Sequence, residues 1–351
     1  MRVFTCDHCS QTVYFDNVVC ENCGSPLGFD SATLQMRALY PNGDGQLATR
    51  PSRGGAMVYC ANYDHHICNW LVPDDQQGQL CLSCGLNRTI PDLTLPSNVE
   101  RWFEFEKAKR RLIYTLVRLG LPVENAGAIN NAPPLAFDIL SDVKTGHEDG
   151  LITLNLAEAD PSIREQVREQ MNEPYRTVLG HVRHESGHYY WLALIDNSRW
   201  LARFRELFGD ERADYAGALA DYHENGPRPD WAQNYISAYA TAHPWEDWAE
   251  SWAHYLHMVE ALDTAADCKI EPRLPRTKSR GSWFSMPLSD PYRAASAKAL
   301  IDRWIPLALA MNNLNRSMGL ADFYPFVVSP AASEKLDFVH QVIKAVRSER
   351  R

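Results

Sequence analysis

The sequence lacks any run of about 18 apolar residues, so no segment of it is expected to span a membrane. Its opening residues, Met1-Arg2-Val3-Phe4-Thr5-Cys6, lack the apolar stretch of a secretory signal peptide. These two absences point to a cytoplasmic protein. Positive charge is also in deficit. The 35 Lys and Arg are outnumbered by 44 Asp and Glu, for a formal net charge of −9. A general nucleic-acid binder usually carries a basic face, so neither nucleic acid nor membrane is an expected partner. Cysteine is nearly missing from the later chain: of nine, only Cys268 lies beyond residue 84, and it reads as a plain thiol. In a reducing compartment, clustered cysteines in C-x-x-C pairs are metal ligands more often than disulfides.

What is present is ordinary in bulk. Hydrophobic content of 45% and charged content of 23% are those of a soluble globular protein. A chain of 351 residues has room for two or three units and a sizeable core.

The cysteines divide into two sets. Residues 1–30 hold Cys6-x-x-Cys9 and Cys20-x-x-Cys23 and read as an N-terminal zinc ribbon. Each knuckle turns tightly enough to place two thiolates on one metal. Two knuckles make a closed tetrahedral zinc site that can fold a segment too short to build a core. Its role is structural, because four thiolates leave no open position; a redox dithiol pair is the competing reading. Residues 31–55 carry the turn signal Pro41-Asn42-Gly43-Asp44-Gly45 and read as a linker. Residues 56–95 contain Cys60, Cys68, Cys81 and Cys84, a less regular set that again fits one closed zinc site. His65 or His66 can replace one ligand there, although surface histidines in a loop are the plainer reading. Tandem zinc modules suit a docking surface for a protein partner, or a lid on a larger domain.

Residues 96–351 read as the main domain. Val99 to Leu119 has the apolar spacing of an amphipathic helix. Leu135–Leu140 is a strand. Leu151 to Leu156 alternates as a second strand, able to pair with an extended peptide if it lies at a sheet edge, and otherwise an interior strand. Helical patterns follow over Asp160–Met171, from Asn172-Glu173-Pro174 to about Asp196, over Arg199–Tyr222, and from Trp231 to Leu262 with a break near His243-Pro244. Lys269–Gly281 reads as a basic loop. Helices over Ala294–Leu309 and Leu336–Val346 place Trp304, Leu307 and Phe338 in the core.

Within this domain lies His184-Glu185-Ser186-Gly187-His188, an H-E-x-x-H pattern. Helical residues four apart share a face, so His184 and His188 can offer two imidazole nitrogens to one metal. Glu185 is turned about 100° from His184 and can hold a water beside that metal. A hydrolytic zinc site needs a third ligand and an open position. Just under 60 residues on, His243-Pro244-Trp245-Glu246-Asp247-Trp248-Ala249-Glu250 opens a helix on which Glu246 and Glu250 share a face. One carboxylate can bind the metal and the other can orient a ligand histidine. Asp247 is turned away and reads as a solvated charge that suits the helix dipole.

With those residues in view, the chain resembles the gluzincin metallopeptidases, in which two histidines of H-E-x-x-H and a downstream helical glutamate bind zinc. It is more closely similar to the bacterial zinc-binding metallopeptidases that carry a zinc-ribbon region ahead of the protease domain. The matching segments are His184 to Trp191, His243 to Glu250, Cys81 to Asp92, Asn315-Arg316-Ser317-Met318-Gly319 and Tyr324-Pro325-Phe326. The resemblance implies an α+β fold: a mainly helical zincin-like domain with a small sheet, preceded by two four-cysteine modules. The catalytic domain is also distantly similar to the anthrax lethal factor type. There the zinc glutamate opens an E-x-x-A-E segment and a tyrosine seven residues earlier faces the metal. That likeness implies Glu246 as ligand, Glu250 as its support and Tyr239 as an oxyanion donor, with Tyr235 as the competing tyrosine.

The function implied is a zinc peptidase acting on a peptide or protein, with one catalytic and two structural zincs and Glu185 as general base. The alternative is a zinc-dependent binding protein whose H-E-x-x-H site is structural or vestigial. Three zincs, one exchangeable by mild chelation, favour the enzyme. A third metal held as firmly as those of the ribbons favours binding.

Overall fold

The computed structural model describes residues 2–43, 45–51, 55–123, 131–170, 177–272 and 290–350. The chain divides into two compact units. The first is Met1–Tyr114 with Leu135–Gln166, and the second is Thr115–Pro134 with Val167–Arg351.

In the first unit, β1 (Phe4–Thr5) and β2 (Thr12–Val13) form a minimal hairpin that carries the first cysteine knuckle. A five-stranded antiparallel sheet follows, in the order β3 (Leu27–Asp30), β4 (Gln35–Pro41), β5 (Leu47–Thr49), β6 (Met57–Tyr59), β7 (Leu71–Pro73). Residues 31–55 are therefore not a linker, since they supply β4 and β5 of this sheet. Met36, Ala38 and Leu39 bury their side chains, and between β4 and β5 Asn42 N–H donates to Gln46 O at 2.7 Å, where the sequence carries its turn signal. Phe29 N–H donates to Asn69 O at 2.8 Å, which draws β3 toward the segment before β7. Gly28 permits this approach, because a Cβ there would lie 2.3 Å from Leu71 Cδ2. Phe4, Phe15, Phe29, Trp70 and Tyr114 form an aromatic core, with ring centroids 4.8 Å apart for Phe15–Phe29 and 5.0 Å for Phe29–Trp70.

A second sheet in this unit has the order β10 (Gly146–Glu148), β11 (Leu151–Asn155), β9 (Ala136–Leu140), β8 (Asn87–Thr89). β11 is an interior strand with Ile152 and Leu154 buried, and the edge positions of this sheet belong to β10 and β8. Arg88 on β8 pairs with Asp138 on β9, and their contact holds the Asp138 carboxyl below its usual range. Helix α1 (Pro96–Leu119) begins in this unit. Glu106 and Lys109, one turn apart and fully buried, form an ion pair at 2.7 Å, and Asn87 and Trp102 also donate to Glu106. Helix α2 (Pro161–Gln170) begins in this unit and ends in the second.

The second unit is helical: α3 (Val178–Leu194), α4 (Leu201–Phe208), α5 (Tyr215–Asn225), α6 (Trp231–Asn234), α7 (Pro244–Asp267), α8 (Ala297–Ser317) and α9 (Pro330–Glu349). α7 is buried nearly all round, as a core helix must be if it packs against several others. α3 starts at the Thr177 cap, whose hydroxyl accepts from Gly180 N–H at 2.9 Å. The expected start at Asn172-Glu173-Pro174 falls outside the described residues, as does most of the Lys269–Gly281 basic loop. The helical pattern from Trp231 is broken earlier than expected. Ser237 accepts from Ala240 N–H and donates to Glu250, which turns Tyr235–His243 into a loop with one 3₁₀ turn, Tyr239–Thr241. Trp304, Leu307 and Phe338 are buried. Among the described residues no helix is long and apolar enough to cross a membrane.

Candidate metal centre

The two cysteine sets assemble as their spacing predicts. Cys6, Cys9, Cys20 and Cys23 bring their sulfurs within 4.8 Å of one another, as do Cys60, Cys68, Cys81 and Cys84. Sulfur separations of 3.9 Å (Cys6–Cys23), 3.6 Å (Cys9–Cys20) and 3.7 Å (Cys68–Cys81) match the spacing of about 3.8 Å that four Zn–S bonds in a tetrahedron require. Backbone N–H groups support the second set, Cys81 N–H on Cys60 Sγ and Trp70 N–H on Cys68 Sγ, each at 3.3 Å. His65 and His66 are exposed and do not join it. Cys268 is exposed and far in sequence from both sets.

The third cluster lies in the helical unit. α3 places His184 and His188 one turn apart with ring centroids at 5.1 Å. α7 brings Glu246 to them: its Oε2 lies 2.9 Å from His184 Nε2 and 3.6 Å from His188 Nε2. The three ligand atoms fall within 4.8 Å of one another. Two imidazole nitrogens and one carboxylate oxygen at these separations fit a zinc ion with bonds of about 2.0–2.2 Å. The electrostatics fit as well, since Glu246 is 1% exposed and a buried carboxylate needs a cation beside it. Burial alone would raise its pKa, but the imidazoles of His188 and His184 hold it well below the carboxylate range.

Glu250 lies on the same face of α7 and does a different job. Its Oε1 accepts from His184 Nδ1 at 2.7 Å and its Oε2 from the Ser237 hydroxyl at 2.6 Å, with His254 Nε2 at 3.9 Å. Both its oxygens are engaged by these hydrogen bonds. The bond to Nδ1 also fixes the His184 ring so that Nε2 faces Glu246. Burial works to lower the His184 pKa, yet its bonds to Glu246 and Glu250 raise it well above the usual imidazole value.

Glu185 is half-buried, and among the described residues no hydrogen bond or ion pair engages its carboxylate. The Tyr239 ring stands 5.9 Å from that of His184, and burial pushes its hydroxyl pKa well up. Tyr235 points elsewhere: its hydroxyl accepts from Arg228 at 3.1 Å and Lys335 Nζ sits 4.1 Å over its ring.

Two placements differ from the sequence reading. Asp247 is 1% exposed and pairs with the buried Lys335 of α9, because α7 has no solvent face at this turn. Tyr215 was not singled out by any pattern, yet its hydroxyl donates to Glu246 Oε1 at 2.6 Å. It lies 31 residues before Glu246, and no local spacing rule links them. Just before His184, Arg183 is buried and paired with Glu260, which also accepts from Thr115 at 2.9 Å.

Residues 98–342 match the family described as "Putative zinc-binding metallo-peptidase". The chain belongs to that family. Residues 3–95 match a zinc-ribbon domain. Uncharacterized proteins of Mycobacterium bovis and Mycobacterium tuberculosis are 44% identical over 351 residues, covering 99% of this chain and 96% of theirs. No solved structure matches it.

Proposed function

We propose that the chain is a zinc-dependent peptidase that hydrolyses peptide bonds in a peptide or protein substrate. The observation that carries this reading is the position of Glu246 Oε2 against the Nε2 atoms of His184 and His188, with the carboxylate of Glu185 on the same helix, unengaged among the described residues. Held by His184, His188 and Glu246, zinc would supply Lewis acidity and lower the pKa of a water. Glu185 takes a proton from that water as its oxygen attacks the carbonyl carbon. The same carboxyl then returns the proton to the leaving nitrogen as the C–N bond breaks. The Tyr239 hydroxyl donates to the developing oxyanion. Each four-cysteine set would hold one further zinc in a structural role, and the ribbon region offers a docking surface for a protein partner.

The test is a comparison of cleaved protein termini between cells carrying the wild type and Glu185→Gln. The variant is expected to keep its zinc and lose turnover, so that a set of new termini disappears. Unchanged termini, together with a third zinc that resists mild chelation, would support the binding-protein alternative.

A further inference from the structure

Glu246 divides its two oxygens between different partners. Oε2 faces the two imidazoles, and Oε1 accepts the Tyr215 hydroxyl at 2.6 Å. A phenol has a single hydrogen to give. Tyr215 therefore commits that hydrogen to a ligand of the cluster and has none left for a substrate. The Tyr239 hydroxyl, by contrast, has no hydrogen-bond partner among the described residues, while its ring faces His184.

The direction of the Tyr215 hydroxyl is set by its surroundings. Tyr215 opens α5, capped by Asp214, whose carboxylate accepts from Gly217 N–H at 3.1 Å. Its ring packs edge-on against His243 at 5.0 Å and tilted against Trp245 at 5.7 Å. His243 caps α7 through Nδ1, which accepts from Trp245 N–H, and its Nε2 lies 3.2 Å from Ala213 O. The residue before Asp214 is thus tied to the residue that starts the helix bearing Glu246. The phenol and the carboxylate are held on one frame.

We propose that Tyr215 is a positioning residue that locks Glu246 so that Oε2 alone is presented to the metal, and that the two tyrosines divide the work, Tyr215 setting metal affinity and Tyr239 serving the reaction. Without the lock, the carboxylate is free to turn Oε2 away from the two imidazoles, so the metal loses its third ligand more readily. The first half requires only a metal at this cluster; the second rests on the peptidase reading above.

The experiment measures zinc affinity of the full chain by competition with a chromophoric chelator, for wild type, Y215F and Y239F. Y215F removes one oxygen and keeps the ring between His243 and Trp245. Matching circular dichroism and thermal unfolding check that the fold is kept. The exchangeable zinc is expected to bind about 10–100-fold more weakly in Y215F, with the zincs of the cysteine sets retained. Y239F should bind zinc like the wild type and lose about 100–1,000-fold in kcat. Wild-type zinc affinity in Y215F overturns the lock, and equal losses of affinity in both variants overturn the division of work. The affinity arm needs no substrate, so failure to find peptidase activity would leave its result standing.

Discussion

Gly187 lies against Ala249: a Cβ on Gly187 would come within 2.8 Å of the Ala249 Cα and 3.3 Å of its carbonyl oxygen. The two helices that carry the metal cluster meet backbone to backbone at this point. Trp248 Nε1–H donates to Gly187 O at 2.8 Å and Trp252 Nε1–H to Ser186 Oγ at 3.1 Å, which ties the contact on both sides. Glycine at the second variable position of H-E-S-G-H therefore sets how near Glu246 comes to the histidines. G187A should force α3 and α7 apart, lower stability by about 1–3 kcal/mol and weaken zinc at the His/His/Glu cluster. Urea unfolding and zinc content after mild chelation would read both effects.

Glu250 is expected to act on metal affinity through His184. Replacing it with alanine removes the acceptor of the Nδ1 proton and frees the ring to turn. Zinc at the cluster should weaken by about 10–100-fold, while the cysteine-bound zincs stay. Chelator competition on E250A checks this, and unchanged affinity would show that the imidazole needs no such support.

Lys335 and Asp247 form a buried pair, with side chains 8% and 1% exposed. Lys335 also donates to Asn234 O at 2.9 Å, which joins α9 to the end of α6. Burial pushes the Asp247 carboxyl up to about 7 against the pull of Lys335. K335M should cost about 3 kcal/mol, because it strands a buried carboxylate, and D247L/K335M should recover part of that loss. Denaturant unfolding of the single and double variants measures the difference.

His254 gives the helical unit a dependence on pH. Burial lowers its pKa to about 4, and its Nδ1 is bonded to the Tyr324 hydroxyl at 2.7 Å. In the unfolded chain an ordinary histidine takes up a proton near pH 6.5. Between pH 6.5 and about 4 the unfolded state binds more protons, so stability falls as pH drops through this window and levels off below it. The loss from this residue is about 3 kcal/mol across the window. Urea titrations at pH 7 and pH 4.5 should show a smaller difference for H254Q than for the wild type.

The parts of this protein that were legible beforehand are those written in local geometry. C-x-x-C turns, the four-residue return of His184 and His188 to one helix face, and the Glu246–Glu250 step each depend on a few neighbouring residues and on fixed helix or turn dimensions. The sequence by itself therefore determined three clusters of potential metal ligands, the helices that bear one of them, and the family resemblance. Only the tertiary structure decided the rest. Residues 31–55 carry turn signals and short apolar runs, and only the partner strands show that β4 and β5 lie inside a sheet. Asp247 reads as a surface charge until α9 covers it with Lys335. Tyr215 reaches Glu246 because α5 folds back onto the start of α7, a contact between residues 31 apart. Pairings of this kind depend on how separate elements pack, and packing is settled by burial summed over the whole core rather than by any local period.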